Sequence, residues 1–365
     1  MNAPTNLYGL DRTQLEALFV EQGLQPFRGR QIMKWAYHQN IVDFSAMTDL
    51  PLQMRQWLIA NACFGLPDVV KFDESRDGTM KWAIDVGGNN LVEMVVIPSG
   101  GRNTLCVSSQ VGCMLDCSFC ATGKQGFNGN LTAADIVGQV VVANQQLAKL
   151  NRRVTNVVLM GMGEPLLNFD AVVTATNIMK DDMAFGISKR RVTISTAGVV
   201  PAIYELAKVT DCSLAISLHA PTDELRDELV PINRKYPLHE LLAACDHYVR
   251  HLGPPRKLVI EYTLMRGVND QIEHARTLAR LLKRIRCKIN LIPFNPFPAS
   301  GYERPTMASI RDFQTHLIEQ GYSAMLRTPR GDDIDAACGQ LAGRVQDRTR
   351  RQSRYREKLI AVEAN

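Results

Sequence analysis

The chain has 365 residues, 45% hydrophobic and 22% charged, with nine cysteines and a formal net charge of +5. That length supports one large domain with a small one beside it, and the composition is that of a soluble globular protein. No apolar run approaches the roughly 20 residues of a membrane helix, and Met1 to Asn6 lack the pattern of a secretory signal. These features predict a cytoplasmic protein with no membrane partner, its cysteines reactive or metal-binding thiols more than structural disulfides. The mild positive charge permits a nucleic-acid partner without requiring one.

The first stretch reads as helical. Leu15, Leu18 and Phe19 fall on one face, and Gly23 and Pro26 end the segment. A second helix starts at Arg28, with Ile32, Trp35 and Ala36 apolar, and Pro51 introduces a third from Leu52 to Ala60. Arg28, Arg30 and Lys34 lie beside Phe27, Trp35 and Tyr37. That mixture suits RNA, where cations meet phosphates and rings stack on bases. It equally suits a small helical domain with a solvated basic face. Residues 1–65 are predicted to be this accessory, RNA-binding domain.

Residues 66–98 read as a β linker, with strands at Lys71–Phe72, Met80–Val86 and Leu91–Pro98 and a turn at Gly87–Asn90. Glu93 shares a strand face with Val95 and Ile97. It is either an edge residue in water or a carboxylate held inside a site. From 99 to 343 strands alternate with helices. The strands are Thr104–Ser109, Asn156–Met160, Arg191–Ser195, Ser213–Ser217, Leu258–Leu264 and Ile289–Ile292, with a last one at Ser323–Arg327. This pattern predicts an α/β fold, a partial (β/α)6 TIM-like barrel, with chemistry at the carboxyl ends of its strands. The rim there carries Gly163 and Glu164, then Ser195, then Ser217, Leu218 and His219, and finally Asn295. Each has a plain reading as a cap, turn or surface residue. Asp332 to Val345 reads as a helix with Ile334, Cys338, Leu341 and Val345 on one face. Residues 344–365 form a basic tail that reads either as a phosphate contact or as a solvated end.

The stretch Cys113-Met-Leu-Asp-Cys117-Ser-Phe-Cys120 follows the first barrel strand. Thiolates at this spacing favour an iron–sulfur cluster or zinc. Zinc would need Cys106 as a fourth ligand, and that residue lies in a predicted strand, not in a loop. A cubane normally takes four cysteines, so three would leave one iron open.

Here the chain resembles the radical S-adenosylmethionine (SAM) superfamily, whose hallmark is C-x3-C-x-aromatic-C, with Phe119 in the aromatic slot. The resemblance implies a [4Fe-4S] cluster on Cys113, Cys117 and Cys120. Its open iron chelates SAM, and one electron cleaves SAM to methionine and a 5′-deoxyadenosyl radical. The loop Gly161-Met-Gly-Glu-Pro165 and the tail Gly331-Asp-Asp-Ile-Asp-Ala-Ala-Cys338-Gly-Gln-Leu341 narrow the likeness. From about Tyr8 to Leu341 the chain resembles the RNA (adenine-C2)-methyltransferases of that superfamily, the RlmN family. In that family the substrates are an adenine of 23S rRNA in the peptidyl-transferase centre and the tRNA adenine 3′ of the anticodon. The resemblance implies that Cys338 carries a methyl group, that Cys106 resolves the RNA adduct as a Cys106–Cys338 disulfide, and that Glu93 takes the C2 proton. It further implies Gly163, Glu164, Ser195, Ser217, Leu218, His219 and Asn295 as SAM contacts, and a flavodoxin-type electron donor and a thiol reductant as partners. The rivals are methylation at adenine C8 with the same cysteines, and a zinc-stapled RNA-binding module without catalysis.

Overall fold

The computed structural model describes residues 3–298, 300–355 and 357. Twelve strands matter here: β1 (Asp68–Glu74), β2 (Met80–Asp85), β3 (Leu91–Ser99), β4 (Arg102–Cys106), β5 (Gln110–Gly112), β6 (Phe127–Asn130), β7 (Asn156–Leu159), β8 (Val192–Thr196), β9 (Ser213–Ser217), β10 (Leu258–Leu264), β11 (Cys287–Pro293) and β12 (Ala324–Leu326). All but β5 and β6 form one ten-stranded sheet, ordered β12-β11-β10-β9-β8-β7-β4-β3-β2-β1. From β4 through β7 to β12 the neighbours are parallel, and from β4 back to β1 they are antiparallel. The open order matches the expected partial barrel, and the β section of 66–98 forms its antiparallel flank.

The parallel strands read as near-continuous apolar runs because helices cover them. After α1 (Arg12–Glu21), α2 (Phe27–Met33) and α3 (Leu52–Asn61) of the N-terminus, the layer comprises α4 (Ala133–Ala148), α5 (Phe169–Lys180), α6 (Val200–Val209), α7 (Asp223–Leu229), α8 (Leu238–Leu252), α9 (Ile272–Leu281) and α10 (Met307–Glu319). Here α4 starts on a capping box in which Thr132 and Asp135 satisfy each other's backbone N–H groups. Ile194, Leu214, Ile260 and Ile289 are completely buried beneath these helices, each contributing about 1.5–3 kcal/mol.

The helical N-terminus packs on this layer. Arg12 pairs with Asp181 and Asp182, Asn177 donates to Asp11, and Tyr37 stacks edge-on between Tyr8 and Phe185 at 5.7 and 5.0 Å. Tyr37 is therefore a packing residue, and Trp35 donates to Asp49 within the domain. Of the mixed basic and aromatic stretch, Phe27, Arg30 and Lys34 remain exposed.

Two expectations change. The first barrel strand ends at Cys106, not Ser109. Beyond it Gln110–Gly112 pairs antiparallel with Phe127–Asn130, so a small hairpin brackets the cysteine loop. Asp332 to Val345 is not a helix: a single 3-10 turn, Asp332–Ile334, precedes irregular chain. Gly331, Asp335 and Gly339 have positive φ (62°, 50° and 86°), a region that cannot continue a right-handed helix. The apolar spacing there reflects separate contacts, with Leu341 and Val345 buried and Cys338 exposed.

Candidate functional site

At the carboxyl end of β4 the cysteine loop is held in place on several sides. The Cys113 N–H donates to Gly126 O at 2.8 Å, Cys120 N–H to Cys117 O at 3.2 Å, and Ser118 N–H to Leu229 O at 3.1 Å. Arg351 covers the loop. Its Nη1 donates to Leu115 O and Gly123 O, its Nη2 to Cys113 O and Met114 O, and its Nε to Thr349 Oγ1, over 2.7 to 3.2 Å. All five guanidinium protons are therefore used. Asp347 steers this segment by accepting from Phe127 N, Thr349 N and Gln352 N. At least this arginine of the basic tail serves the fold; Arg356 and Lys358 lie outside the described residues.

The thiols fit an iron–sulfur group. Burial pushes the Cys113 thiol well above its ordinary value, reinforced by Cys117 and Cys120. The Cys117 thiol is pushed up to about 12, again by burial and then by Cys120. Such clustered soft donors favour a metal that takes them as thiolates. Among the described residues no three His, Cys, Asp or Glu side chains converge as a single ion requires. A cubane, in which each thiolate meets its own iron, does not require that convergence.

The rim beside the loop is built from the residues that follow the strands. Gly163 has φ +103°, and a Cβ there would lie 2.5 Å from Gln110 Cβ; only glycine fits. This contact lets Gln110 Oε1 accept from Glu164 N at 3.0 Å. The Glu164 carboxylate accepts from Leu166 N at 3.0 Å and Ala197 N at 2.7 Å, stitching two rim loops together. Burial raises its pKa to about 6 against these bonds. Ser195 Oγ and Ser217 Oγ stand 3.5 Å apart. Leu218 is fully buried, its N–H donating to Glu261 O at 3.1 Å. His219, at φ 59°, accepts from Thr263 N through Nδ1 at 3.0 Å. The proton of the neutral ring then resides on Nε2. The ring meets Phe119 edge-on at 4.6 Å, and burial, then Arg226, pulls its pKa down to about 3. His219 is neutral throughout the physiological range.

The segment bearing Cys338 crosses this rim and is fastened to it. Asn295 Nδ2 donates to Cys338 O at 3.2 Å, while Asn295 Oδ1 accepts from Arg304. Ala121 N donates to Gly339 O, and Thr122 Oγ1 to Leu341 O. Glu93 Oε2 accepts from Ala342 N at 2.8 Å, and Glu93 Oε1 lies 3.3 Å from Lys81 Nζ. Lys81 Nζ also reaches Asp335 O at 3.3 Å. Register explains the grouping. Lys81 and Cys106 both pair with Val95, and residues across a ladder share a face. Glu93, two residues from Val95, shares it too. Lys81, Glu93 and Cys106 thus point together toward the Cys338 segment.

Cys106 and Cys338 are free thiols. Burial, and then the nearby charge of Cys338, pushes Cys106 up to about 12. Cys338 touches solvent, yet protein surrounds it closely enough that burial and then Glu261 raise its thiol, with Arg327 opposing. Besides Arg351, the residues Glu261, Lys81 and Arg226 were not foreseen from sequence. Glu261 and Lys81 each interrupt an apolar strand, the same sign that drew attention to Glu93. Arg226 lies in Asp223-Glu-Leu-Arg-Asp-Glu-Leu229, which reads as a solvated helix, and nothing there signals burial.

Comparison with known proteins places the chain. The Radical SAM superfamily model matches residues 107–279, and the Ribosomal RNA large subunit methyltransferase N-terminal domain matches residues 5–64. The chain is 57% identical over 355 residues to the dual-specificity RNA methyltransferase RlmN of Pseudomonas fluorescens (strain SBW25), covering 96% of this chain and 93% of that protein. It is 58% identical over 354 residues to the RlmN of Pseudomonas putida (strain W619), with the same coverage. Among solved structures, a radical SAM methyltransferase from Sphaerobacter thermophilus superposes with a TM-score of 0.86 at 43% identity, over 93% of this chain and 99% of that one.

Proposed function

The chain belongs to the RlmN family of dual-specificity RNA methyltransferases, within the radical SAM superfamily, and from this membership we propose that it methylates carbon 2 of adenine in 23S rRNA and in tRNA. Membership carries with it a [4Fe-4S] cluster and SAM. Cys113, Cys117 and Cys120 would hold the cluster; Gly163, Glu164, Ser195, Ser217, Leu218, His219 and Asn295 would hold SAM. When bound, the pair supplies a methyl group and, by one-electron cleavage of SAM, a carbon radical that abstracts hydrogen.

The chain's own residues do the rest. Carbon 2 of adenine, between two ring nitrogens, is too electron-poor to attack a methyl cation equivalent. The Cys338 thiolate takes the methyl group first: its S–C bond forms as the sulfonium S–CH3 bond of SAM breaks and the demethylated thioether leaves. After hydrogen loss that carbon bonds to adenine C2, leaving RNA attached through it to Cys338 sulfur. Glu93 accepts the C2 proton. Once the adduct has also given up its unpaired electron to the redox centre that supplied it, the Cys106 thiolate attacks Cys338 sulfur; the S–S bond forms as the S–C bond breaks, the released carbon takes up a proton to become the methyl group, and methylated RNA leaves. A thiol reductant restores both cysteines, and a flavodoxin-type protein supplies the electron. Residues 1–65 form the accessory RNA-binding domain, residues 66–98 the β flank, residues 99–343 the catalytic barrel and residues 344–365 the basic tail.

The observation that most supports this reading is the gathering of Cys106, Glu93 and Lys81 on one sheet face beneath the fastened Cys338 segment. The test is anaerobic reconstitution with SAM, reductant and unmodified RNA, followed by nucleoside mass mapping. The proposal expects 2-methyladenosine from both RNAs; 8-methyladenosine, or no product from a cluster-loaded enzyme, contradicts it.

A further inference from the structure

A guanidinium lies wholly inside the barrel and, among the described residues, has no carboxylate bonded to it. Arg226, on α7, has no exposed surface. Its Nε donates to Leu218 O at 3.1 Å, its Nη1 to Asn233 Oδ1 at 2.8 Å, and its Nη2 to Ala197 O and Ser217 O at 2.5 and 3.2 Å. Every one of these partners is neutral. Asp223 and Asp227 lie behind Asn233, whose Nδ2 donates to both, so an amide separates the cation from the nearest acids. Isolated buried charge is costly, and folds retain it when something compensates it.

The helix that bears Arg226 packs on the cysteine loop. Leu225 and Leu229 of α7 pack in one apolar cluster with Phe119, Cys117 and Cys120, and Ser118 N donates to Leu229 O. In an iron–sulfur cubane held by three thiolates the ligand charge outweighs that of the oxidised core, so the assembly is anionic, and a further electron makes it more so. We propose that Arg226 is the buried counter-cation of this cluster: it compensates the charge of the thiolate-bound group and raises its readiness to accept an electron. Two further features agree. Burial lowers the guanidinium pKa to about 10, and Cys117 is the strongest charge opposing that shift. The carbonyls Arg226 binds belong to Ala197, Ser217 and Leu218, so the same side chain shapes the rim. Arg226 is thus a positioning and potential-setting residue that need not touch the substrate.

This inference rests on the reading of residues 113–120 as a cluster loop, and iron and sulfide analysis of the reconstituted wild-type protein tests that reading separately. The test of Arg226 is a redox titration of the holoenzyme, followed by electron paramagnetic resonance without RNA or SAM. Arg226→Gln, at full iron and sulfide content, is expected to lower the one-electron reduction equilibrium about tenfold, a midpoint about 59 mV more negative. Arg226→Lys keeps the charge, so its midpoint stays near wild type while SAM affinity falls, because an ammonium cannot span the same carbonyls. Should Arg226→Gln not fold, Asn233→Asp serves: it keeps Arg226, sets a carboxylate against it, and is expected to shift the midpoint the same way. An unchanged midpoint in a cluster-loaded Arg226→Gln or Asn233→Asp protein overturns the proposal and leaves Arg226 a structural residue.

Discussion

Replacing Lys81 by methionine removes the ammonium that pairs with Glu93. Both side chains are nearly buried, at 10% and 11% exposure, so solvent screening offers little relief. The carboxylate keeps one partner, Ala342 N at 2.8 Å, and Asp335 O loses the Lys81 hydrogen bond. Removing one member of a buried pair costs about 3–5 kcal/mol. Chemical denaturation at pH 8 should show a loss of that size in Lys81→Met. In the Lys81→Met/Glu93→Gln protein no charge is stranded, and most of the stability should return at pH 8. A loss below about 1 kcal/mol, or a double variant no more stable than Lys81→Met, would refute the view that this pair is buried and coupled.

Glu164 predicts a pH effect on SAM. Its pKa of about 6 is raised above the ordinary 4.5 by burial, so the carboxylate that would hold the SAM ammonium is present above pH 6 and lost as pH falls through it. One unit lower, about nine carboxyls in ten are protonated, and equilibrium dialysis with the reconstituted protein should show about tenfold weaker SAM binding at pH 5 than at pH 7.5. The stability linkage has the opposite direction. The contribution of this group to the SAM-free protein is fully present below pH 4.5 and is lost as pH rises through about 6, amounting to about 2 kcal/mol. Arg351→Lys should lose iron to a chelator about as fast as Arg351→Ala, since only a planar fork spans four carbonyls; the exposed Arg354→Ala should retain it. Gly126→Ala would set a Cβ 1.9 Å from Asp347 Oδ1 at φ +79°, and thermal or chemical denaturation should register a loss of about 2–5 kcal/mol.

The sequence carried the barrel well because parallel strands under helices must be apolar runs, and Ser213–Ser217 and Leu258–Leu264 match their predicted bounds. The rim was legible for a different reason. Residues that follow strands in such a fold share one end of it, so Gly163, Ser195, Ser217, His219 and Asn295 could be grouped before any contact was known. The Cys338 segment was misread as a helix because its apolar spacing mimics a helical stripe. Its real shape is set by positive-φ positions at Gly331, Asp335 and Gly339, of which the aspartate gives no warning. Arg226 and Arg351 were not recognised because a cation in a charged stretch looks solvated. Their partners are backbone carbonyls of distant segments, which no local pattern encodes.

The central claim is that the sulfur of Cys338 carries the carbon delivered to RNA. Its most direct test is peptide mass analysis of the anaerobically reconstituted protein after incubation with isotopically labelled SAM and reductant, before and after RNA is added. The account predicts a labelled methyl group on Cys338 alone, which then leaves with the RNA. Methylated RNA produced while Cys338 stays unmodified, or by Cys338→Ala, would contradict it.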